Sequence, residues 1–131
     1  MVIFDNSEFE KYKSEVQEKW GQTEAYVEYE EKTKYYSKDK KHNLIEEMND
    51  IFKEFALCME KGLNPAFSEV QNLVKMLQNH ITENYYTCTN EILMGLGQMY
   101  VTDERFKTNI DKHANGTAMF VSQAIEIYCR K

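Results

Sequence analysis

The sequence predicts an all-α fold, and three observations carry that reading. Turn chemistry is sparse: one proline and five glycines in 131 residues leave room for few connections between elements. Apolar residues recur at steps of three to five over long stretches, the spacing of one helix face. No segment alternates apolar and polar over enough residues to make a half-buried strand. The length suits one domain with one core, so residues 1–131 are read as one unit. Residues 1–40 are polar and aromatic, whereas residues 41–131 hold nearly all the aliphatic side chains. That split predicts a firm helical body over 41–131 and a looser pair of helices over 4–36.

The first helix, 4–20, carries a thin stripe of Phe4, Phe9, Tyr12, Val16 and Trp20, and Gly21 breaks it. The second, 24–36, repeats the theme with Tyr26, Tyr29 and Tyr36. Its Glu28–Lys32 and Glu30–Lys34 pairs have the favoured i,i+4 orientation, worth a few tenths of a kcal/mol each. Ser37 is the expected N-cap of a core helix running to about Lys61 through Leu44, Ile45, Met48, Ile51, Phe52, Phe55 and Met59. Gly62 and Pro65 stop it. Ser68 and Gln71 suggest a capping box for a helix whose Val70, Leu73, Val74, Leu77 and Ile81 share a face, within 66–83. A helix over 91–101 follows, and a short one restarts at Thr102–Asp103 through Phe106 and Ile110. After Gly116 comes a last helix over 117–129, with Phe120, Ala124, Ile127 and Tyr128 expected to face inward.

The helix over 91–101 poses a question, because it contains both Gly95 and Gly97. A glycine inside a helix costs about 1 kcal/mol relative to alanine. Each must serve a close approach, either by another helix or by a bound molecule. Around them the sequence places Trp20, Tyr26, Tyr29, Tyr85, Tyr86, Met94, Met99 and Tyr100. Rings and thioethers of this kind suit varied apolar ligands, and equally suit plain helix packing.

Composition excludes several functions. The net charge is −6, and the basic run KDKK at 38–41 lies among acids, so direct contact with nucleic acid is not expected. No apolar stretch approaches the roughly 20 residues that span a bilayer. The first residues are too short and acidic for a secretory signal. Cys58, Cys88 and Cys129 are odd in number and far apart, which fits a reducing, cytoplasmic setting. His42, His80 and His113 lack partners at metal-ligand spacing apart from Glu83, three residues after His80. No metal or other cofactor is therefore expected; a haem on His80 is the rival reading, and a partly exposed structural histidine the plainer one. No phosphate loop, nucleophile elbow or carboxylate pair argues for an enzyme. Cys88, near a helix start, reads either as a reactive thiol favoured by the helix dipole or as a small buried apolar residue.

The segments EKWGQTEAY (18–26), MEKGLNP (59–65), YYTCTNEI (85–92), MYVTDERFKTNID (99–111) and NGTAMFVSQAIEIY (115–128) resemble the TipA-S antibiotic-recognition domain, the C-terminal effector domain of many MerR-type transcription activators. The likeness runs in order from about residue 9 to 128. It implies a globin-like helical domain with a ligand cleft, helices that order as a lid, and a bulky guest such as a thiopeptide antibiotic. It also implies transcription regulation or antibiotic resistance by sequestering the drug, with any DNA-binding domain lying elsewhere in a longer protein. On this resemblance the ligand-binding residues are Trp20, Tyr26, Tyr29, Tyr85, Tyr86, Cys88, Ile92, Gly95, Met99, Tyr100 and Phe120. Trp20 and Tyr26 would belong to the lid. Tyr85, Tyr86, Gly95, Met99 and Phe120 would line a floor between the helices at 66–83, 91–101 and 117–129. The family's thiopeptide-binding founder bonds its ligand covalently through a cysteine two helical turns beyond the cysteine of the Tyr-x-Cys motif. Here that position is Gly95, so non-covalent binding is expected. The alternative is a helical protein–protein interaction module with no small-molecule ligand.

Overall fold

A computed structural model describes residues 23–130 of the chain. The expected helix over 4–20, with Trp20, lies outside the described residues. Within them are six α-helices and no strand: α1 (Glu24–Thr33), α2 (Lys38–Glu60), α3 (Ser68–Asn84), α4 (Asn90–Thr102), α5 (Glu104–Asp111) and α6 (Thr117–Arg130). The all-helical class read from the sequence is the class observed.

Local chemistry sets the boundaries. The Thr23 hydroxyl accepts from the Tyr26 N–H and starts α1; Ser37 does the same for α2 through Lys40 N–H, and Thr89 for α4 through Ile92 N–H. Each satisfies a donor that the first helical turn leaves unpaired. At the end of α2, Gly62 has φ +79°; its N–H donates to Met59 O at 3.0 Å and that of Leu63 to Cys58 O at 3.1 Å. This double return is the Schellman motif, which favours glycine at that position. Asp103 ends α4 and caps α5, where Arg105 locks its carboxylate through Nε at 3.1 Å and Nη2 at 2.9 Å. The Asp111 carboxylate accepts from Ala118 N–H at 2.8 Å, which places a negative charge at the start of α6.

Four local expectations are corrected. The second helix ends at Thr33, short of residue 36. The Ser68–Gln71 capping box does not form: Phe67 is the N-cap and contributes no side-chain bond. Gln71 instead turns inward and donates to Pro65 O at 2.8 Å and Ala124 O at 3.1 Å, because its position on α3 faces α6. Lys34 pairs with Glu31 at 3.3 Å in place of Glu30. On α6 the buried isoleucine is Ile125, with Ala118, Val121 and Ala124, while Ile127 is half-buried. The last helix is turned so that Ile125 meets α4 at Gly97.

The core is one continuous cluster drawn from α2 to α6. Phe52, Phe55, Val74, Leu77, Leu93, Val121 and Ile125 are essentially sealed from solvent. The most extensive pairing is α4 against α6, and Gly97 lies in it: a Cβ there would stand 3.2 Å from Ile125 Cγ2. Gly97 is therefore a helix-packing glycine, the first half of the answer to the question posed by the sequence.

Candidate functional site

The segment bearing α1 is fixed to the end of α3. Lys32 Nζ donates to Thr82 O at 2.6 Å, and the Tyr36 hydroxyl to Asn84 O at 2.8 Å. Both carbonyls belong to the last turn of α3, whose oxygens have no partner within the helix; a cation there also complements the helix dipole. Glu28 accepts from the Thr87 N–H at 2.7 Å and the Thr87 hydroxyl at 3.0 Å, and Lys32 sits 3.3 Å from it. The Thr87 N–H, with its hydroxyl and Lys32, holds the Glu28 carboxyl below its ordinary pKa. The sequence marked Glu28–Lys32 as a surface pair. That both side chains also reach the body is a tertiary fact with no local signal.

A row of rings runs across this junction. Tyr26, buried, lies 6.0 Å from Tyr29. Tyr29 stacks on Tyr85 at 6.2 Å with an interplanar angle of 21°, and Tyr85 reaches His80 at 6.1 Å. Burial pushes the Tyr85 hydroxyl strongly up. His80 is buried, not partly exposed as the sequence suggested, because its position on α3 turns it toward α2 and Tyr85. Neither ring nitrogen has a hydrogen-bond partner among the described residues, and Glu47 lies 3.7 Å from Nε2. Burial lowers the His80 pKa from 6.5, with Glu47 and Glu83 opposing. A histidine kept neutral by the fold contributes stability above its unfolded pKa and loses it as pH falls through the folded value. Melting temperature is therefore expected to drop as pH falls below 6.5, and the drop to shrink in His80→Gln. An unchanged slope in that variant contradicts the assignment.

The second half of the glycine question lies on the outer face of α4. Gly95 is exposed, and among the described residues a Cβ built there meets nothing within 4 Å. The hollow expected at this position is an open face, not an enclosed cavity. Ile92 and Met99 flank it, half-buried against the core. Gly95→Ala is expected to stabilise the chain by about 1 kcal/mol, the helix propensity alone, measured by urea unfolding; destabilisation contradicts an open face.

The remaining candidates lie inside. Tyr100 packs edge-on against Phe52 at 5.6 Å, and Phe120 and Cys88 belong to the core cluster. Tyr86 packs against that cluster half-buried. Burial, then the neighbouring Cys129, pushes the Cys88 thiol up to about 12, so the small-apolar reading of Cys88 holds and the activated-thiolate one does not. A depression of about 320 Å³ does open between α3, the start of α4 and the end of α6, the three helices expected to frame a cleft. Its lining is Gln71, Asn72, Lys75, Asn90 and Tyr128, with one ring where several were expected. A second, of about 340 Å³, is lined by Lys107, Thr108, Asp111, Lys112 and Asn115. Among the described residues no group of three His, Cys, Asp or Glu could hold a metal, and no helix is long and apolar enough to cross a membrane.

Comparison with known proteins gives this arrangement a context. A profile of the TipAS antibiotic-recognition domain matches residues 12–128. The HTH-type transcriptional activator mta of Bacillus subtilis is 37% identical over 118 residues, covering 90% of this chain and 45% of that protein. The HTH-type transcriptional activator TipA of Streptomyces coelicolor is 36% identical over 124 residues, covering 94% of this chain and 49% of TipA. The chain thus spans about half the length of these relatives. Among solved structures, TipAS from Streptomyces lividans in complex with nosiheptide, described as part of a thiopeptide antibiotic multidrug resistance system, superposes with a TM-score of 0.85 at 32% identity. The match covers 97% of this chain and 87% of that one.

Proposed function

The chain belongs to the TipAS antibiotic-recognition domain family, and on that premise we propose that it captures a bulky, ring-rich antibiotic of the thiopeptide kind without forming a covalent bond. The observation that carries this reading is the open face at Gly95, on a helix whose other glycine is filled by packing. A helix retains an exposed glycine at a cost of about 1 kcal/mol, and a guest lying flat against the backbone there offsets it. Ile92 and Met99 supply apolar contact beside it. The half-buried rings of Tyr29, Tyr85 and Tyr86 supply aromatic surface, with Tyr26 buried behind Tyr29. Cys88, Tyr100 and Phe120 act from beneath, holding that surface in place.

In this reading residues 4–36, Trp20 included, are a lid, and residues 41–131 are the body of a single ligand-binding domain. The bonds from Lys32 and Tyr36 to the end of α3, with those from Thr87 to Glu28, are the latch of its closed state. In a longer regulator of the MerR type, a ligand that favours closure shifts a population that a separate DNA-binding domain reads. In a standalone protein the same closure sequesters the drug. The role is binding, not catalysis, with no cofactor, in the cytoplasm. A second reading, a helical protein-interaction module, draws on the exposure of Val27 and Tyr35, 54% and 87%.

Calorimetric titration of the chain with nosiheptide, followed by intact-mass measurement, separates them. Saturable binding with no gain in protein mass is expected. Absence of binding, or stabilisation by a protein partner alone, overturns the proposal.

A further inference from the structure

A cluster beneath the edge of the proposed ligand face joins the end of α6 to the loop before α4. Gln78 Nε2 donates to Cys88 O at 2.8 Å and Asn90 Oδ1 at 2.9 Å, while its Oε1 accepts from the Tyr128 hydroxyl at 3.1 Å. This pins residue 128 to the strip 88–90. The two neighbouring thiols converge on consecutive carbonyls of that strip. Cys88 Sγ lies 3.9 Å from Thr89 O, and Cys129 Sγ 3.4 Å from Asn90 O. Cys129 stands close enough to Cys88 to help raise its thiol, after burial. Cys88 is buried, whereas Cys129 is partly open to solvent, and Cys58 is buried on α2.

We propose that Cys88 and Cys129 form an oxidisable pair that closes to a disulfide in exchange with a low-molecular-weight disulfide, fastening the end of α6 to the start of α4. The chemistry proceeds in two steps. The Cys129 thiolate, the accessible one, attacks one sulfur of the small disulfide; that S–S bond breaks and one small thiolate leaves. The Cys88 thiolate then attacks the Cys129 sulfur of the mixed disulfide, and the second small thiolate leaves. The two protons lost by the cysteines end on the two released thiols. The small disulfide is reduced and the protein pair oxidised. Burial raises both thiols, so little thiolate exists at neutral pH and closure is slow there. The pair is a sensor of sustained oxidation, unlike a low-pKa thiol that reacts at once.

The test uses the 131-residue chain with oxidised glutathione across pH 7 to 9. The expected product is a monomer lighter by two hydrogens. Non-reducing digestion should join the peptides holding Cys88 and Cys129, and closure should accelerate about tenfold per pH unit because thiolate is the attacking species. Cys129→Ser should abolish it while leaving the helical circular dichroism unchanged, and Cys58 should stay free. Stable glutathione on Cys129 with Cys88 free, a disulfide between two chains, a link through Cys58, or no reaction at pH 9 would each overturn the proposal.

Discussion

Gly95→Cys is expected to convert reversible capture of a thiopeptide into covalent capture. The backbone at residue 95 is ordinary right-handed helix, and a Cβ there meets nothing within 4 Å among the described residues. The substitution thus adds a thiol to the open face without moving the fold. An exposed cysteine titrates near 8.5, against about 12 for the buried Cys88. At pH 8 the new thiol therefore carries roughly a thousandfold more thiolate than Cys88. Addition of that thiolate to the β-carbon of a dehydroalanine, with a proton arriving at the α-carbon, forms an adduct with no leaving group. Intact-mass measurement should show protein plus one nosiheptide in the variant and unmodified protein in the original chain. An adduct on Cys88 in the original chain, or none in the variant despite binding, contradicts the placement of the ligand against residue 95.

Phe55→Ala should cost about 3–5 kcal/mol of stability, the range for deleting a buried ring and leaving a cavity. Phe55 is 0% exposed in the last third of α2, in the cluster that joins α2 to α3 and α6. Against a typical stability of about 5–15 kcal/mol, that loss brings the chain close to unfolding. Leu57→Ala, two residues on but 41% exposed, serves as the contrast and should stay within about 1 kcal/mol of the original. Urea unfolding by circular dichroism measures both. A loss below about 1 kcal/mol at Phe55 would mean that the core does not close over this ring.

Much of the fold was legible because helical periodicity, caps and stop signals are local. Ser37, Gly62 and Asp103 fixed helix ends through bonds to their own neighbours. The larger errors came where a side chain had a distant partner. Gln71 fits a capping box by spacing, yet its amide is claimed by Ala124 O across the core. Ile127 and Ile125 are equivalent by composition, and only the close approach of Gly97 to Ile125 decides which is buried. The same limit applies to the candidate site. The sequence singled out both glycines but could not tell the packed one from the open one, since each breaks the helical pattern identically. The bonds that seat α1 on α3 join residues about fifty apart in the chain and left no trace in spacing. Resemblance to a family supplied the ligand class; composition alone admitted packing and binding equally.

The account stands on a guest held between the residue 24–36 segment and the outer face of α4. Amide hydrogen exchange on the 131-residue chain, with and without saturating nosiheptide, addresses that directly. The expected result is slowed exchange over 24–36 and over 88–102, with α5 unchanged. Equal exchange in both segments with and without bound nosiheptide, or protection centred on the depression lined by Lys107 and Lys112, would contradict it.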